Sequence, residues 1–226
     1  MKKATYLERL ARYGINSSHP GGLVLTREIL RHEKITTDMT VLDIGCGTGQ
    51  TSMYIRTHYP CKVIAADINA EMLERAKKNF ESHHLDIPLR RVNAMDMPFL
   101  DNSFDMIISE SVSVFTNIRK TLREYYRVLK KGGVLLEIEG TALQPLNFPE
   151  AEDFKRVLGI EHLPTREEWN KIFKEAGFSD IRVLCFQRMN WVGTGSPSIN
   201  RAFQDYINIM NRYREKLRYG VYRCVV

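Results

Sequence analysis

The 226-residue chain has no uninterrupted apolar run of about 18 residues, the length a membrane-spanning helix needs. Its basic start, MKK, is followed by TYLERLARYG rather than by an apolar stretch, so the N-terminus does not read as a secretory signal. The four cysteines (Cys46, Cys61, Cys185 and Cys224) include no C-x-x-C pair. Scattered thiols of this kind suit a reduced, cytoplasmic protein and argue against a disulfide framework. The six histidines form no ligand pattern either. His83 and His84 are adjacent, but neighbours on a helix point apart, and no acid or cysteine cluster joins them, so no metal site is expected. Internal repeats and low-complexity tracts are also missing. The formal charge of +6 is a mild excess, short of a nucleic-acid signature. Much of it sits at Arg201, Arg212, Arg214, Lys216 and Arg218, interleaved with Asp205 and Glu215, as on a solvated helix face. With 43% hydrophobic residues, a chain of this length suits a single domain with a full-sized core.

What the chain does have is VLDIGCGTG at 41–49. Val41-Leu42-Asp43-Ile44 reads as a buried parallel strand that stops at a glycine. Gly45, Gly47 and Gly49 then allow a sharp turn and a backbone surface free of Cβ atoms, which a ligand can approach closely. Helical character follows from Thr51 to His58, and Lys62-Val63-Ile64-Ala65-Ala66 reads as the next strand. That strand ends at Asp67, 22 residues after Gly45, where an acid can take both hydroxyls of a ribose. The dinucleotide fingerprint G-x-G-x-x-G would need glycine at position 50, which is Gln50. Asp43, two residues before the first glycine, would also repel a pyrophosphate. An acid there suits a ligand with an ammonium or sulfonium group, which favours S-adenosylmethionine over a nicotinamide cofactor.

Four further motifs follow in order: DINAEMLERAKKN at 67–79, VNAMDMPFLDNSFDMIIS at 92–109, EYYRVLKKGGVLLEIE at 124–139 and TREEWNKIFKEAGFSDIRV at 165–183. Together with the glycine loop they make the chain resemble the class I SAM-dependent methyltransferases, in the broad group that includes the ubiquinone and menaquinone biosynthesis enzymes. The resemblance covers roughly residues 38–188. It implies an α/β, Rossmann-like fold with a seven-stranded, mostly parallel sheet, helices on both faces and an antiparallel last strand. On that pattern Tyr219 to Val226 inserts beside the fifth strand, and the cofactor is S-adenosylmethionine. None of the motifs identifies the methyl acceptor.

The hydrophobic pattern alone predicts helices near 4–13 and 22–34, a strand at 41–45, a helix at 50–58 and a strand at 62–66. A helix at 70–82 and strands at 88–92 and 104–109 come next, then a helix at 117–129 and a strand at 133–139. Late elements are a helix at 166–176, a strand at 180–188, a helix at 199–217 and a strand at 219–226. Such alternation means a sheet covered on both faces. The domain is expected to divide into an N-terminal helical lid (1–36), a cofactor-binding core (38–139), an acceptor-pocket insertion (140–165) and a C-terminal half (166–226). The apolar period of 199–217 (Ile199, Phe203, Tyr206, Met210, Tyr213, Leu217) says that this added helix packs on something.

Asp67 is the expected ribose ligand, the alternative being a helix cap for 68–72. Asp43 supports the cofactor's ammonium or the loop amides, or else only caps the loop; Cys46 is a small residue within the loop. By resemblance, Ile68 and Met72 flank the adenine, and Asn93-Ala94-Met95 forms its edge loop, with Asn93 accepting from the exocyclic amine. Asp96 reads as a turn cap and Asp105 as structural. Ser109-Glu110-Ser111 falls at the end of the fourth strand, beside the expected methyl position, and no N-P-P-Y-like motif of nucleobase methylation occurs there. Glu110 could hold the acceptor, act as a base, bind the cofactor's amino-acid end or serve a turn. His19, in the INSSHPGG turn at 15–22, could be a base or a pocket wall; Tyr13 is a weaker candidate. The reaction implied is in-line transfer of a methyl group to a small molecule, by a monomer or homodimer without nucleic acid. RNA or protein methylation and a non-catalytic SAM-binding scaffold are the alternatives.

Overall fold

A computed structural model describes residues 5–13, 15, 19–189 and 197–226. The beginning of the expected first helix and part of the INSSHPGG turn (16–18) lie outside the described residues. In chain order the elements are α1 (Tyr6–Tyr13), α2 (Gly22–Leu30), β1 (Thr40–Ile44), α3 (Gln50–His58), β2 (Lys62–Asp67), α4 (Ala70–Ser82), β3 (Leu89–Arg91) and β4 (Phe104–Glu110). A 3-10 turn at Ser113–Phe115 leads to α5 (Ile118–Val128), β5 (Leu129–Ala142), α6 (Phe148–Leu158) and α7 (Arg166–Ala176). β6 (Ser179–Arg188), α8 (Pro197–Ala202), α9 (Gln204–Arg212) and β7 (Leu217–Val225) follow.

The strands form one seven-stranded sheet in the order β3-β2-β1-β4-β5-β7-β6. β1 to β5 pair in parallel, and β7 runs antiparallel to both β5 and β6. This is the Rossmann-like arrangement that the motifs implied, with the last strand beside β5. Alternate residues of the central strands feed two separate cores, as the period of 2 requires. Leu42, Ile107, Leu135 and Tyr222 pack with Leu122, Tyr125, Trp169 and Phe173 on one face. Val41, Val63, Met106, Leu136 and Val221 pack with Ile29, Leu30, Ile55 and Phe80 on the other.

Helix ends show why the segments stop where they do. Asn69 caps α4 by accepting from the Glu71 and Met72 amides, and Thr165 and Glu168 form a reciprocal capping box on α7. The helix expected over 22–34 ends at Leu30, because a tighter turn takes over, with the His32 and Glu33 amides donating to the carbonyls of Ile29 and Leu30. Glu33 is thereby turned to Arg223 on β7, at 2.7 Å. The single helix expected over 199–217 is two, broken at Phe203, whose ring lies edge-on to Tyr6 and Tyr13. Tertiary packing of one aromatic ring there outweighs the local helical pattern. The strand that follows begins at Leu217, two residues earlier than its pattern suggested.

Candidate active site

A cavity of about 730 Å³ opens at the carboxyl edge of the sheet, the usual ligand position in open α/β folds. β1 runs into the glycine loop there, and the loop's glycines do different work. Gly49 precedes α3 and does not line the cavity; a Cβ on it would stand 2.3 Å from the Phe80 ring of α4. Gly45 lines the cavity but backs onto Val112. Gly47, at φ 53°, also lines it, and a Cβ there would meet nothing within 4 Å among the described residues. The backbone at Gly47 is therefore the open cradle that a ligand can approach, while Gly49 lets a helix pack closely.

Asp67, at the end of β2, is oriented by two amides. Its Oδ2 accepts from Gly47 N at 2.9 Å and its Oδ1 from Asn69 N at 2.8 Å. Burial raises its pKa, and those amides pull the other way. Ile68 (more than half exposed), Met72, Val92, Asn93, Ala94 and Met95 continue the same wall. The Asn93 side-chain oxygen accepts from Met95 N at 3.0 Å, an Asx turn that leaves its NH₂ group without a partner among the described residues. Asp43, Cys46 and Ser109 lie behind this wall. Asp43 accepts from Ser52 Oγ at 2.5 Å; burial, then the nearby Glu110 charge, push its carboxyl up to about 7 against the Ser52 bond. Cys46 packs into the core below the loop, and Ser109 pairs with the Tyr125 hydroxyl at 3.3 Å. Asp105 is fixed at the far end of β4 by Thr40 N and Lys130.

Glu110 ends β4, between the glycine-loop strand and β5, and so stands at the middle of the site. Ser111 behind it adopts a left-handed φ of 58° and donates to Ile138 O, turning the chain sharply. Both Glu110 oxygens are held: Thr26 of α2 donates to Oε1 at 2.5 Å and Thr51 of α3 to Oε2 at 2.7 Å. His19 Nε2 lies 3.5 Å from Oε2, with both side chains almost wholly buried. His19 Nδ1 is 3.2 Å from Pro20 O, a carbonyl that can only accept. The Pro20 carbonyl calls for a proton on Nδ1, and Nε2 attracts the carboxylate it faces only when it carries a proton too. The two candidates for proton chemistry, 91 residues apart in sequence, thus meet in the cavity wall. Tyr13 does not line it.

Beyond Glu110 the lining turns apolar, with Tyr6 and Leu10 of α1, Phe154 and Leu158 of α6, and Tyr206 and Met210 of α9. Sequence reasoning looked for this wall in 1–36 and 140–165 and missed α9, whose apolar stripe was its only signal. It also missed two acids on one face of β5. Glu139 Oε1 accepts from the amides of Val112, Ser113 and Val114, and so braces the turn that floors the cavity. Glu137, fully buried beside it, has no hydrogen-bond partner for either oxygen among the described residues. Burial raises both; it pushes Glu139 up to about 7 against its amide bonds, and burial and then the Glu139 charge raise Glu137 well above the usual range. Two acids at i and i+2 in an apolar strand, LLEIE, were the visible sign.

A seven-stranded sheet of this order, with a Cβ-free loop after β1 and an acid after β2, defines a class I, Rossmann-like methyltransferase. The comparisons agree: a methyltransferase-domain model matches residues 41–133. An uncharacterized methyltransferase of Bacillus subtilis, YodH, is 31% identical over 96% of this chain and 97% of its own. The mitochondrial 2-methoxy-6-polyprenyl-1,4-benzoquinol methylase of Caenorhabditis elegans is 33% identical over 62% of this chain and 59% of its own. Haemonchus contortus phosphoethanolamine N-methyltransferase 2, solved with phosphomonomethylethanolamine and S-adenosylhomocysteine, superposes with a TM-score of 0.78. It shares 18% identity and covers 97% of this chain and 57% of its own. The chain belongs to the class I S-adenosylmethionine-dependent methyltransferases, and S-adenosylmethionine is its cofactor. The open backbone at Gly47 and the amide-oriented Asp67 beside it fit that group.

Proposed function

We propose that the chain methylates a small-molecule acceptor within this one cavity, and that its site residues divide the work between the two ligands. The observation that carries this reading is the continuity of the lining, from Gly47 and Asp67 past Glu110 into the apolar chamber. Bound S-adenosylmethionine supplies a methyl group on a positively charged sulfur, a leaving group that is already activated. Asp67 presents preset oxygens to the ribose hydroxyls, and Gly47 allows the ligand to lie against the backbone. Ile68 and Met72 flank the adenine, and Asn93, Ala94 and Met95 meet its edge. Asp67 and Glu110 give the cavity a negative potential that favours a sulfonium.

The chain's main tasks are then alignment and exclusion of water, with α1, the turn before α2 and residues 140–165 forming the walls. For an acceptor that must lose a proton, the His19–Glu110 pair receives it: Nε2 faces the carboxylate, which Thr26 and Thr51 hold in place. Paired surface charge favours a small acceptor over nucleic acid, since Arg212 and Lys216 bind Asp153 and Glu150 of α6. The reaction takes place in the cytoplasm. Calorimetric titration with S-adenosylhomocysteine, NADH serving as control, tests the reading together with Asp67→Ala. Binding of the first alone, weakened about tenfold or more in the variant, is expected. Equal affinity in Asp67→Ala would refute the ribose assignment.

A further inference from the structure

Among the described residues, four that are not glycine hold a left-handed backbone: His84, Asn102, Ser111 and Asp180. His84, Asn102 and Asp180 are exposed, and all three are residue types that favour this conformation. Ser111, at φ 58°, is neither: it is a half-buried serine that lines the cavity one residue beyond Glu110. The turn itself does not call for serine. The Ser111 amide donates to Ile138 O at 2.8 Å, and the amides of Val112, Ser113 and Val114 donate to Glu139 Oε1. Glycine at 111 would supply the same backbone donor at a lower conformational cost. What serine adds is a Cβ and a hydroxyl, and that hydroxyl has no hydrogen-bond partner among the described residues. Backbone strain kept where a less costly residue would serve is a mark of ligand-contacting positions.

The neighbours of Ser111 say which ligand its hydroxyl meets. Asp67 and Gly47, on the ribose side, belong to the ends of β2 and β1, whereas Ser111 follows β4, where the cavity passes from the cofactor's wall into the apolar chamber. Glu110 beside it is held at both oxygens by Thr26 and Thr51, so its carboxylate is fixed in place. We infer that the Ser111 hydroxyl orients the methyl acceptor, accepting a hydrogen bond from the O–H or N–H that is to be methylated. Fixing that bond fixes the direction of the acceptor's lone pair, the alignment on which in-line transfer depends. Ser111 thus aligns the acceptor, and the His19–Glu110 pair deals with its proton. This inference rests on the methyl-transfer reading above.

The test uses two probes on the full chain, S-adenosylhomocysteine and sinefungin, an analogue in which a carbon bearing an amino group replaces the methylated sulfur. The sinefungin ammonium occupies the place of the methyl group and offers N–H donors to whatever lies beyond it. In calorimetric titration, Ser111→Ala and Ser111→Gly should each weaken sinefungin about tenfold or more. Both should leave S-adenosylhomocysteine within about twofold of the parent. In thermal melts Ser111→Gly should rise by about 1–4 °C as the strain is relieved, and Ser111→Ala, which keeps the strain, should not. Unchanged sinefungin affinity in both variants overturns the inference, as does an equal loss for the two probes or failure of the parent to bind sinefungin. A Ser111→Gly melting point at or below the parent's overturns it too, since the turn would then need serine for itself. S-adenosylhomocysteine binding to the parent is measured first, so its failure would sink the cofactor reading rather than the role of Ser111.

Discussion

Gly47 and Gly49 belong to one motif, yet they should respond to the same substitution in opposite ways. Alanine at Gly47 must hold a left-handed φ of 53°, at a cost of about 1–2 kcal/mol. For a chain of this size that lowers Tm by about 2–8 °C. Its Cβ meets no atom of the described residues within 4 Å and stands in the cavity lining, where the ligand must come. Alanine at Gly49 pays the same conformational cost at φ 84° and drives its Cβ to 2.3 Å from Phe80 Cε1. Phe80 is buried at 3% exposure and cannot swing aside, so overpacking adds about 1–3 kcal/mol. Gly49→Ala should therefore lose about 2–5 kcal/mol in all. Differential scanning calorimetry without ligand, then titration with S-adenosylhomocysteine, separates the two. Gly47→Ala should keep most of its stability and lose about tenfold or more in affinity. Gly49→Ala should lose stability, while its folded fraction binds nearly as before. An unchanged dissociation constant in Gly47→Ala, or equal destabilisation of both variants, would refute this division of roles.

The acid pair on β5 sets a pH dependence. Glu137 and Glu139 hold protons in the folded state that the unfolded chain releases above its ordinary carboxylate pKa. Stability should therefore fall as pH rises from 5 to 7, by about 1.4 kcal/mol per unit for each retained proton. Glu137→Gln removes one such proton, so its urea midpoint should gain on the parent's progressively across that window; parallel profiles would contradict the buried protonated state. Asp43→Asn should flatten the same window, because burial raises that carboxyl to about 7 as well. Thr165→Ala breaks the α7 capping box and should cost about 1 kcal/mol. Melting would then drop by about 2–4 °C, with no change in S-adenosylhomocysteine affinity.

Most of the first five strands were legible because they follow local rules. A short apolar run with a glycine or acid at its end recurs in β1, β2, β4 and β5, and it made the glycine loop and Asp67 visible without help from distant residues, whereas β3, Leu-Arg-Arg, has no such run and no helix after it. The adjacency of β7 and β5 came from resemblance, since periodicity says nothing about which strand neighbours which. The His19–Glu110 pair was legible only as two separate candidates. Its geometry depends on hydroxyls from Thr26 and Thr51, whose partner lies 84 and 59 positions away. The break at Phe203 was hidden for a similar reason, because the ring's partners, Tyr6 and Tyr13, sit at the opposite end of the chain.

β6 has one neighbour in the sheet, β7, which is placed between it and β5. During synthesis β5 and β6 both emerge before the strand that joins them, so β6 has no sheet partner until Leu217–Val225 arrives. The parallel half from β1 to β5, which carries the glycine loop and Asp67, needs nothing from that late segment to pair its strands. Met189, just past β6, donates its amide to Leu217 O of β7, and the α9 residues between them pack on α1 and α6. A ribosome-bound chain would thus acquire the elements for gripping an adenosyl group before it acquires a compartment for the second reactant.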